Sequence, residues 1–500
     1  MTVYGTLARG TLGWPSLPMG KLVVGIVAAQ ALVLGLLVVA DSPWRILAAV
    51  VALAGGALTI VQPRFGFYVL AASLIGQWPG NAARYTGICV GLATIIWVLR
   101  HRLPLVPRSA LLALSGLYVA FVMTSTIMPL SRTDMLSGAV SAVSHVGFVW
   151  LCLVFIDSPR AAFSVVVVMM LSGIVTALVG LVQWWTHFAW PASTLVIGAT
   201  YSINVGKSIV EWHGWMGYFR IDSITGTSDY LGVTMQTIMP FMLCWALRQR
   251  RAPAALLGYA GVVLLGVVNL LSFTRGTWII TPIVLLLTVW LVDRRQLPGF
   301  AAAMIVAAGA VLVWPPVWER VLTLLELGRD QAGEYNAVGW RVHVLPIAFQ
   351  MMLERPIFGV GVGQQSFHWT EAARDLVSLN MPELAPPVHN SYLLAGIELG
   401  VGGLAVSLAL VGVSLTRLRQ LARRFHEVGE HELSAYTGAA FAAVLGLGLA
   451  MVGYPLLGSF RYFWLLVGFT AALVRLERTL RGWRQSSGDR GEPSPAVGVR

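Results

Sequence analysis

The sequence predicts an all-α protein that crosses a membrane many times. Of its 500 residues, 57% are apolar and only 11% are charged, whereas a soluble domain carries about 25% charged residues. Apolar runs of about 20 residues, the length that crosses a bilayer core, recur along the whole chain. The basic residues are also distributed unevenly between the connections. These observations predict a polytopic membrane protein with 12–14 transmembrane helices.

Fourteen apolar runs are candidate spans, and the third and fourth are short enough to form one re-entrant pair instead. The first run is longer than the core of a secretion signal, so we expect it to be an uncleaved span. The runs lie near residues 22–40, 45–62, 66–78, 85–99, 109–129, 137–156, 161–184, 228–247, 254–273, 276–292, 298–317, 389–416, 434–457 and 461–475.

The net charge of +12 follows from the orientation of these spans. If the N-terminus is cytoplasmic, 22 of the 34 Lys and Arg residues fall inside and 12 fall outside. This bias is the positive-inside rule, and it predicts cytoplasmic N- and C-termini. The basic surplus therefore indicates topology, and we expect membrane lipids around the protein and no nucleic-acid partner.

The spans and the longer connections divide the chain into four parts. Residues 1–317 form a helix bundle with an outer loop at 185–227, and residues 318–388 form a large, partly helical outer loop. Residues 389–480 supply the last transmembrane helices, and the polar residues 481–500 are expected to be a disordered cytoplasmic tail. The three cysteines, Cys89, Cys152 and Cys244, lie in apolar spans with neither disulfide nor metal spacing.

The large outer loop contains an arginine on an apolar helical face. Arg341, Leu345, Ala348, Phe349 and Met352 recur at helical spacing, so the sequence predicts that they share one face. A solvated arginine belongs on the opposite face. One explanation is snorkelling to lipid headgroups. The other is that Arg341 faces a buried anion.

Two further arginines lie in unusual outer positions. Arg275 lies between two apolar segments that are joined by a very short connection. It either anchors helix ends at the interface or faces an anion. Arg220 lies in partly apolar surroundings and either pairs with Asp222 or faces the same anion. Clustered at one site, these arginines would suit a phosphate group, because the guanidinium fork binds phosphate oxygens in pairs.

The stretch "PPVHNSYLLAGIELGVGG" places a histidine at the mouth of a predicted span. On a straight helix from His389, Gly396, Gly400 and Gly403 lie close to its direction and form a small-residue seam for a neighbouring helix. Asn390 and Ser391, which follow His389, favour a helix start.

Glu398, in the same stretch, lies nine residues beyond His389. On a straight helix this puts it on the opposite side of the helix and about 13.5 Å deeper. It is a functional candidate by its depth, and the alternative is a buried hydrogen-bond link to another helix.

The residue types restrict the chemistry of this outer site. His389 either caps the helix or acts as a general base near neutral pH. No HxxH, HExxH or paired-carboxylate spacing indicates a metal, and no nucleotide-binding loop is present. We therefore expect neither a metal nor another cofactor. A base beside phosphate-binding arginines on the outer face suggests transfer from a lipid-linked phosphate donor.

Three motifs resemble those of the O-antigen ligase and O-antigen polymerase superfamily. The stretch at 386–403 carries His389, Asn390, Glu398, Gly400 and Gly403 in the expected order. "GWRVHVLPIAFQMMLERPIFGVGVGQQSF" resembles the preceding segment, in which an arginine opens a helix and a Pro-x-x-Gly-x-Gly turn closes it. "FRIDSITGTSDYLG" resembles the earlier arginine motif, with "DY" at 229–230 in place of the commoner Pro-Asn pair.

The resemblance implies the C-type glycosyltransferase architecture in a bacterial inner membrane, with the active site facing the periplasm. It implies metal-independent, inverting transfer of a glycan from undecaprenyl pyrophosphate to an acceptor hydroxyl, either lipid A–core or a growing polysaccharide. His389 would be the base, and Arg220 and Arg341 would bind the donor pyrophosphate. Arg275 is assigned to the same role mainly by position.

The sequence leaves several functions open beside the ligase. A polymerase shares the motifs, and a protein glycosyltransferase would differ only in its acceptor. A transporter or flippase of lipid-linked sugars would explain the many spans and the outer arginines. It would also predict paired intramembrane charges and internal repeats; the sequence offers Glu398 but no convincing repeat.

Overall fold

The structure is a computed structural model that describes residues 58–59, 62–75, 80–104, 107–125, 132–186, 220–325, 337–365, 368 and 388–488. The first predicted span, nearly all of the second, most of the loop at 185–227 and the chain beyond residue 488 lie outside the described residues. Secondary structure in the described part is helical, which confirms the all-α prediction.

Eight of the described helices are long and apolar enough to cross a membrane, so the protein is a multi-pass membrane protein. The described α-helices, numbered in chain order, are α1 Pro63–Ile75, α2 Gly80–Arg100, α3 Ala110–Ser125, α4 Arg132–Phe155, α5 Pro159–Thr186, α6 Ser228–Arg248, α7 Ala252–Leu271, α8 Arg275–Val292, α9 Leu297–Leu312, α10 Pro315–Leu325, α11 Ala337–Glu354, α12 Ser391–Glu427, α13 His431–Ala450 and α14 Arg461–Gly488. One 3₁₀ turn, Arg294–Gln296, joins α8 to α9.

The centre of the bundle is α6. Every residue from Leu231 to Cys244 is buried, and the helix packs against α5, α7, α8 and α13. Close packing around it depends on glycines. A Cβ at Gly261 of α7 would lie 2.9 Å from the sulfur of Met242, and a Cβ at Gly446 of α13 would lie 2.9 Å from Gln236 Nε2. At the other extreme, α9 buries none of its residues, which suits a helix that faces lipid on the outside of a bundle.

The bundle has two chemically different ends. The starts of α6, α8, α12 and α14 lie at one end, which also receives the last residues of α7 and α13; we call it the site end. The opposite end carries Arg248, Arg294, Arg424 and Arg481 among its arginines, and we call it the basic end. This concentration of arginines agrees with the positive-inside bias, from which the sequence predicts that this end is cytoplasmic.

Two predicted boundaries differ from the structure. The helix that begins near His389 in the sequence prediction begins at Ser391 and continues to Glu427, so His389 precedes it. The predicted tail begins too early, because α14 continues through Gly488. Around the predicted boundary the helix is supported by the ion pair of Glu477 and Arg481, one turn apart on α14.

The predicted apolar face of α11 is also rotated. Ala348 and Met352 are buried together with Val344, Ile347 and Met351. Leu345 and Phe349 are exposed instead. The reason is that α11 packs on α12 along one ridge, while its other apolar side remains uncovered by the described part of the chain. The helix ends at Glu354, before Pro356, as predicted.

Glu477 of α14 joins this helix to α12 at the basic end. The carboxylate is nearly buried, and it contacts Arg481 and, at 3.6 Å, Arg424 of α12. Replacing Glu477 with Ala leaves two arginines without their anion, so we expect a loss of about 1–2 kcal/mol. Thermal unfolding of the purified protein should show a lower midpoint. Glu427→Ala, an exposed glutamate at the same end, is the control, and equal midpoints for the two variants would contradict the role of Glu477.

Candidate active site

Arg220 is held rigidly against the connection between α7 and α8. Its Nε donates to the carbonyl oxygen of Ser272 at 3.0 Å, and its Nη2 contacts Asp229 Oδ1 at 3.2 Å. Thr274 Oγ1 donates to the same Asp229 oxygen at 3.3 Å. These bonds use the Nε–Nη2 edge of the guanidinium; within the described residues, Nη1 forms no hydrogen bond. The guanidinium is therefore oriented through its Nε–Nη2 edge.

The ion-pair partner of Arg220 is Asp229 rather than Asp222, the partner considered in the sequence analysis. Asp222 instead accepts a hydrogen bond from Gln183 Nε2 at 2.6 Å. Burial raises the pKa of Asp222, and the Gln183 hydrogen bond and the charge of Arg220 oppose that rise. Gln183 Oε1 also accepts from the backbone N–H of Asp222 and of Ser223. The segment after Arg220 is thus fixed to α5.

Arg275 is the first residue of α8 and is half-buried. Its neighbour Gly276 lies directly against Tyr454, since a Cβ at Gly276 would be 2.6 Å from the Tyr454 hydroxyl. Tyr454 belongs to the connection between α13 and α14. The start of α8 therefore packs against residues 451–460, the connection that also contacts the histidine segment.

His389 lies between a buried anchor and a helix cap. Val388 before it is buried, and Asn390 after it caps α12, with Oδ1 accepting from the N–H groups of Tyr392 and Leu393 at 3.0 and 2.9 Å. The backbone N–H of Ser391 donates to Met451 O at 2.8 Å. The half-buried histidine thus lies between a buried residue and a hydrogen-bonded helix start.

The connection at residues 451–460 joins the three segments at the site end. Ser391 Oγ donates to Tyr454 O at 2.6 Å and accepts from Leu456 N at 2.6 Å. The hydroxyl of Tyr230, next to Asp229, donates to Ser459 Oγ at 2.6 Å. Together with the Gly276 contact, these bonds bring the segments of Arg220, Arg275 and His389 to one end of the bundle.

Arg341 lies on α11, and its side chain lies outside the described part of the structure. The helix itself packs on α12. Its buried residues form one apolar cluster with Val388 and Ile397, and Gly396 has no room for a Cβ because Met352 of α11 lies against it. The helix that carries Arg341 is therefore attached to the segment that carries His389.

Helix α12 is broken at Gly400, which has φ 74° and ψ −175°. Because of this break, the carbonyls of Ile397 and Glu398 accept from the N–H groups of Val360 and Gly361, at 2.8 and 3.0 Å, instead of from their own helix. In return, Val401 N donates to Pro356 O at 2.7 Å. The turn at residues 356–363, which follows α11, is thus hydrogen-bonded into the gap in α12.

This break changes the geometry expected for a straight helix. Gly400 does not face another helix, because a Cβ there would meet the carbonyls of Pro356 and Ile357. Only Gly396 of the predicted seam meets the neighbouring helix α11; a Cβ at Gly403 would meet Leu399 of the same helix. Glu398 is linked to the turn rather than to a helix: its Oε1 accepts from Gly363 N at 2.9 Å.

Residues 260–408 match the family model described as O-antigen ligase. The match confirms the resemblance to the O-antigen ligase superfamily. The matched range contains Arg275, Arg341, His389 and Glu398, whereas Arg220 precedes it. No curated protein matches the chain. The family indicates a glycosyltransferase-like enzyme of the ligase or polymerase type, in a bacterial inner membrane.

Two contributors to this candidate site were missed by sequence reasoning. Asp229 was noted only as a departure from the usual motif, although the structure makes it the partner of Arg220. Tyr454 has no sequence signal, because its position depends on the packing of the 451–460 connection against α8 and α12.

The turn at 356–363 requires a glycine where it crosses α12. Gly359 has φ 66°, and a Cβ there would collide with the carbonyl group of Glu398. We expect Gly359→Ala to cost about 1–3 kcal/mol and to open the turn. Thermal unfolding and faster amide hydrogen exchange at Val360 and Gly361 would measure this. The control is Gly458→Ala, because a Cβ at Gly458 has no neighbouring atom within 4 Å. If the amides of Val360 and Gly361 exchange equally slowly in the two variants, the interpretation is wrong.

Proposed function

We propose that this protein is an O-antigen ligase-type glycosyltransferase. It transfers a glycan from undecaprenyl pyrophosphate to an acceptor hydroxyl, on lipid A–core, at the periplasmic face of the inner membrane. The observation that carries the proposal is the joining of the Arg220, Arg275 and His389 segments at one end of the bundle by residues 451–460. The arginine concentration at the opposite end supports a periplasmic assignment for the site end.

The arginines act on the leaving group. Arg220, Arg341 and Arg275 would bind the donor pyrophosphate, whose negative charge grows as the bond to the sugar breaks. Asp229 and Ser272 orient Arg220 through Nε and Nη2, so its Nη1 side is directed to the ligand. Fixed donors of this kind stabilise the departing charge without reorganising during the reaction. Undecaprenyl pyrophosphate then leaves with the electron pair of the broken bond.

His389 acts on the acceptor. Its imidazole takes the proton of the acceptor hydroxyl, the oxygen forms a bond to the anomeric carbon, and the bond from that carbon to the pyrophosphate oxygen breaks. Attack from the face opposite the leaving group inverts the anomeric centre. The Asn390 cap and the Ser391 hydrogen bonds keep the histidine segment in place. Glu398 acts indirectly, by holding the turn that follows α11.

An assay with purified protein tests the overall function and separates it from its alternatives. The protein would be incubated with undecaprenyl-pyrophosphate-linked glycan and with lipid A–core, and the products would be separated by mass. Glycosylated lipid A–core is the expected product. Products extended only on undecaprenyl carriers would make it a polymerase, and transfer only to a protein would make it a protein glycosyltransferase. Movement of unchanged donor across vesicles would make it a transporter.

Replacement of the histidine tests the base. We expect His389→Ala to lower the transfer rate by about 10²–10⁴-fold, the usual contribution of a general base. The unfolding midpoint should remain near that of the wild type. His101→Ala, at the basic end of the bundle, is the control and should keep its activity. Full turnover by His389→Ala would remove the histidine from the base role.

Conservative replacement of Arg220 tests the donor site. Lysine keeps the charge but cannot contact Ser272, Asp229 and a phosphate together as the guanidinium does. We expect Arg220→Lys to lower kcat/KM for the donor roughly tenfold or more, because a charged hydrogen bond contributes about 1.5–3 kcal/mol. The control is Arg64→Lys, which alters the ion pair with Asp157 far from the site. The same donor kinetics in both variants would exclude a donor contact for Arg220.

A further inference from the structure

A second polar site lies at the basic end of the bundle, away from His389. A cavity of about 370 Å³ is lined by Arg248 of α6, by Arg294 and Arg295 of the 3₁₀ turn, and by His426 and His431 at the α12–α13 connection. Asp293, Ser434 and an apolar wall that includes Trp290 complete the lining. Helices α6, α12 and α13 and the 3₁₀ turn thus contribute cationic or hydrogen-bonding side chains to one opening.

The three arginines of this cavity lack the ion pairs that their neighbours have. Arg424 and Arg481, at the same end, both contact the buried Glu477. Within the described residues, neither Arg248, Arg294 nor Arg295 forms an ion pair within 4 Å. The positive charge of the cavity is therefore not cancelled by ion pairing inside the described part of the chain.

Among the described residues, Asp293 is the one carboxylate of the lining, and it is already hydrogen-bonded. One oxygen of Asp293 accepts from the backbone N–H of Arg295 at 3.1 Å, and the other accepts from Gln296 Nε2 at 3.0 Å. Asp293 thereby caps the 3₁₀ turn. It fixes the position of the two arginines without using their guanidinium groups.

The two histidines are fixed by a tight turn. Gly429 has φ 74°, and Glu430 N donates to Phe425 O at 2.8 Å. His426 and His431 contact each other through their Nδ1 atoms at 3.2 Å. Since this contact uses Nδ1 of each ring, the Nε2 atoms point away from it and are available to a ligand.

The apolar part of the lining selects the kind of ligand. Trp290 and Leu291 at the end of α8 are 49% and 37% exposed, and tryptophan is typical of the boundary between headgroups and acyl chains. An anionic group at the arginines would thus have apolar surface next to it. Basic pockets between transmembrane helices on the cytoplasmic side bind anionic lipid headgroups in other membrane proteins.

We propose that this cavity binds the phosphate headgroup of an anionic phospholipid, with the acyl chains beside Trp290 and Leu291. Arg294, Arg295 and Arg248 contact the phosphate oxygens, and the histidine whose Nδ1 accepts in the His426–His431 contact donates from its Nε2. The site joins α6, α8 and the α12–α13 connection, so the lipid would bridge the helices that surround the core. The proposal is independent of the reaction at the site end.

Native mass spectrometry of the full chain in detergent tests the proposal. The protein would be titrated separately with dioleoylphosphatidylglycerol, dioleoylphosphatidylcholine and sodium pyrophosphate. Wild type should bind phosphatidylglycerol on the order of tenfold more tightly than phosphatidylcholine. Equal binding of the two lipids would overturn the proposal. Tighter binding of pyrophosphate, with displacement of the lipid, would assign the cavity to soluble phosphates and overturn it as well.

A paired set of variants locates the binding. Arg294→Gln combined with Arg295→Gln should weaken phosphatidylglycerol binding on the order of tenfold. Arg250→Gln combined with Arg251→Gln removes the same charge from exposed positions outside the cavity and should change binding less than about twofold. An equal loss in both pairs would show diffuse attraction and overturn the site. Should the first pair not fold, as judged by its unfolding transition, Arg248→Gln gives the same test from another helix.

Discussion

The hydrogen bonds between the turn at 356–363 and the gap in α12 are the constraint on which the rest of the site end depends. A continuous helix would satisfy the carbonyls of Ile397 and Glu398 internally and leave the N–H groups of Val360 and Gly361 without these acceptors. The break at Gly400 exposes these carbonyls, and Val360 and Gly361 donate to them. Polar backbone groups at membrane depth must be satisfied within the protein, so the two irregular segments stabilise each other through these bonds.

This constraint connects the two motifs that the sequence shows separately. The turn follows the helix that carries Arg341, and the broken helix follows His389. Docking of one on the other, together with the apolar cluster around Val388, fixes the helix α11 beside the histidine segment. Residues 451–460 then attach the same segment to the arginines at positions 220 and 275. Residues distant in sequence are thus organised by main-chain bonds around one end of the bundle.

The division of charge between the two ends has a separate physical origin. At the site end, Arg220 is balanced by Asp229 and a carbonyl, which suits a binding group that must keep one edge available. At the basic end, Glu477 neutralises part of a dense arginine population, while the arginines around the cavity form no such pair within the described residues. The first arrangement orients a single group for a ligand. The arrangement at the basic end leaves several arginines to interact with the membrane surface or with a lipid headgroup.

The amino-acid sequence by itself determined the all-α membrane class, most helix positions and the candidates His389, Arg220 and Arg341, because hydropathy and helical spacing are local properties. It also fixed the stop of α11 before Pro356. Only the tertiary structure decided the partner of Arg220, the role of Tyr454 and the contacts of Glu398. A helical wheel assumes an unbroken helix, and the break at Gly400 exists because a distant turn supplies the missing hydrogen bonds. Such a bond between residues about forty positions apart leaves no periodic signal in the chain.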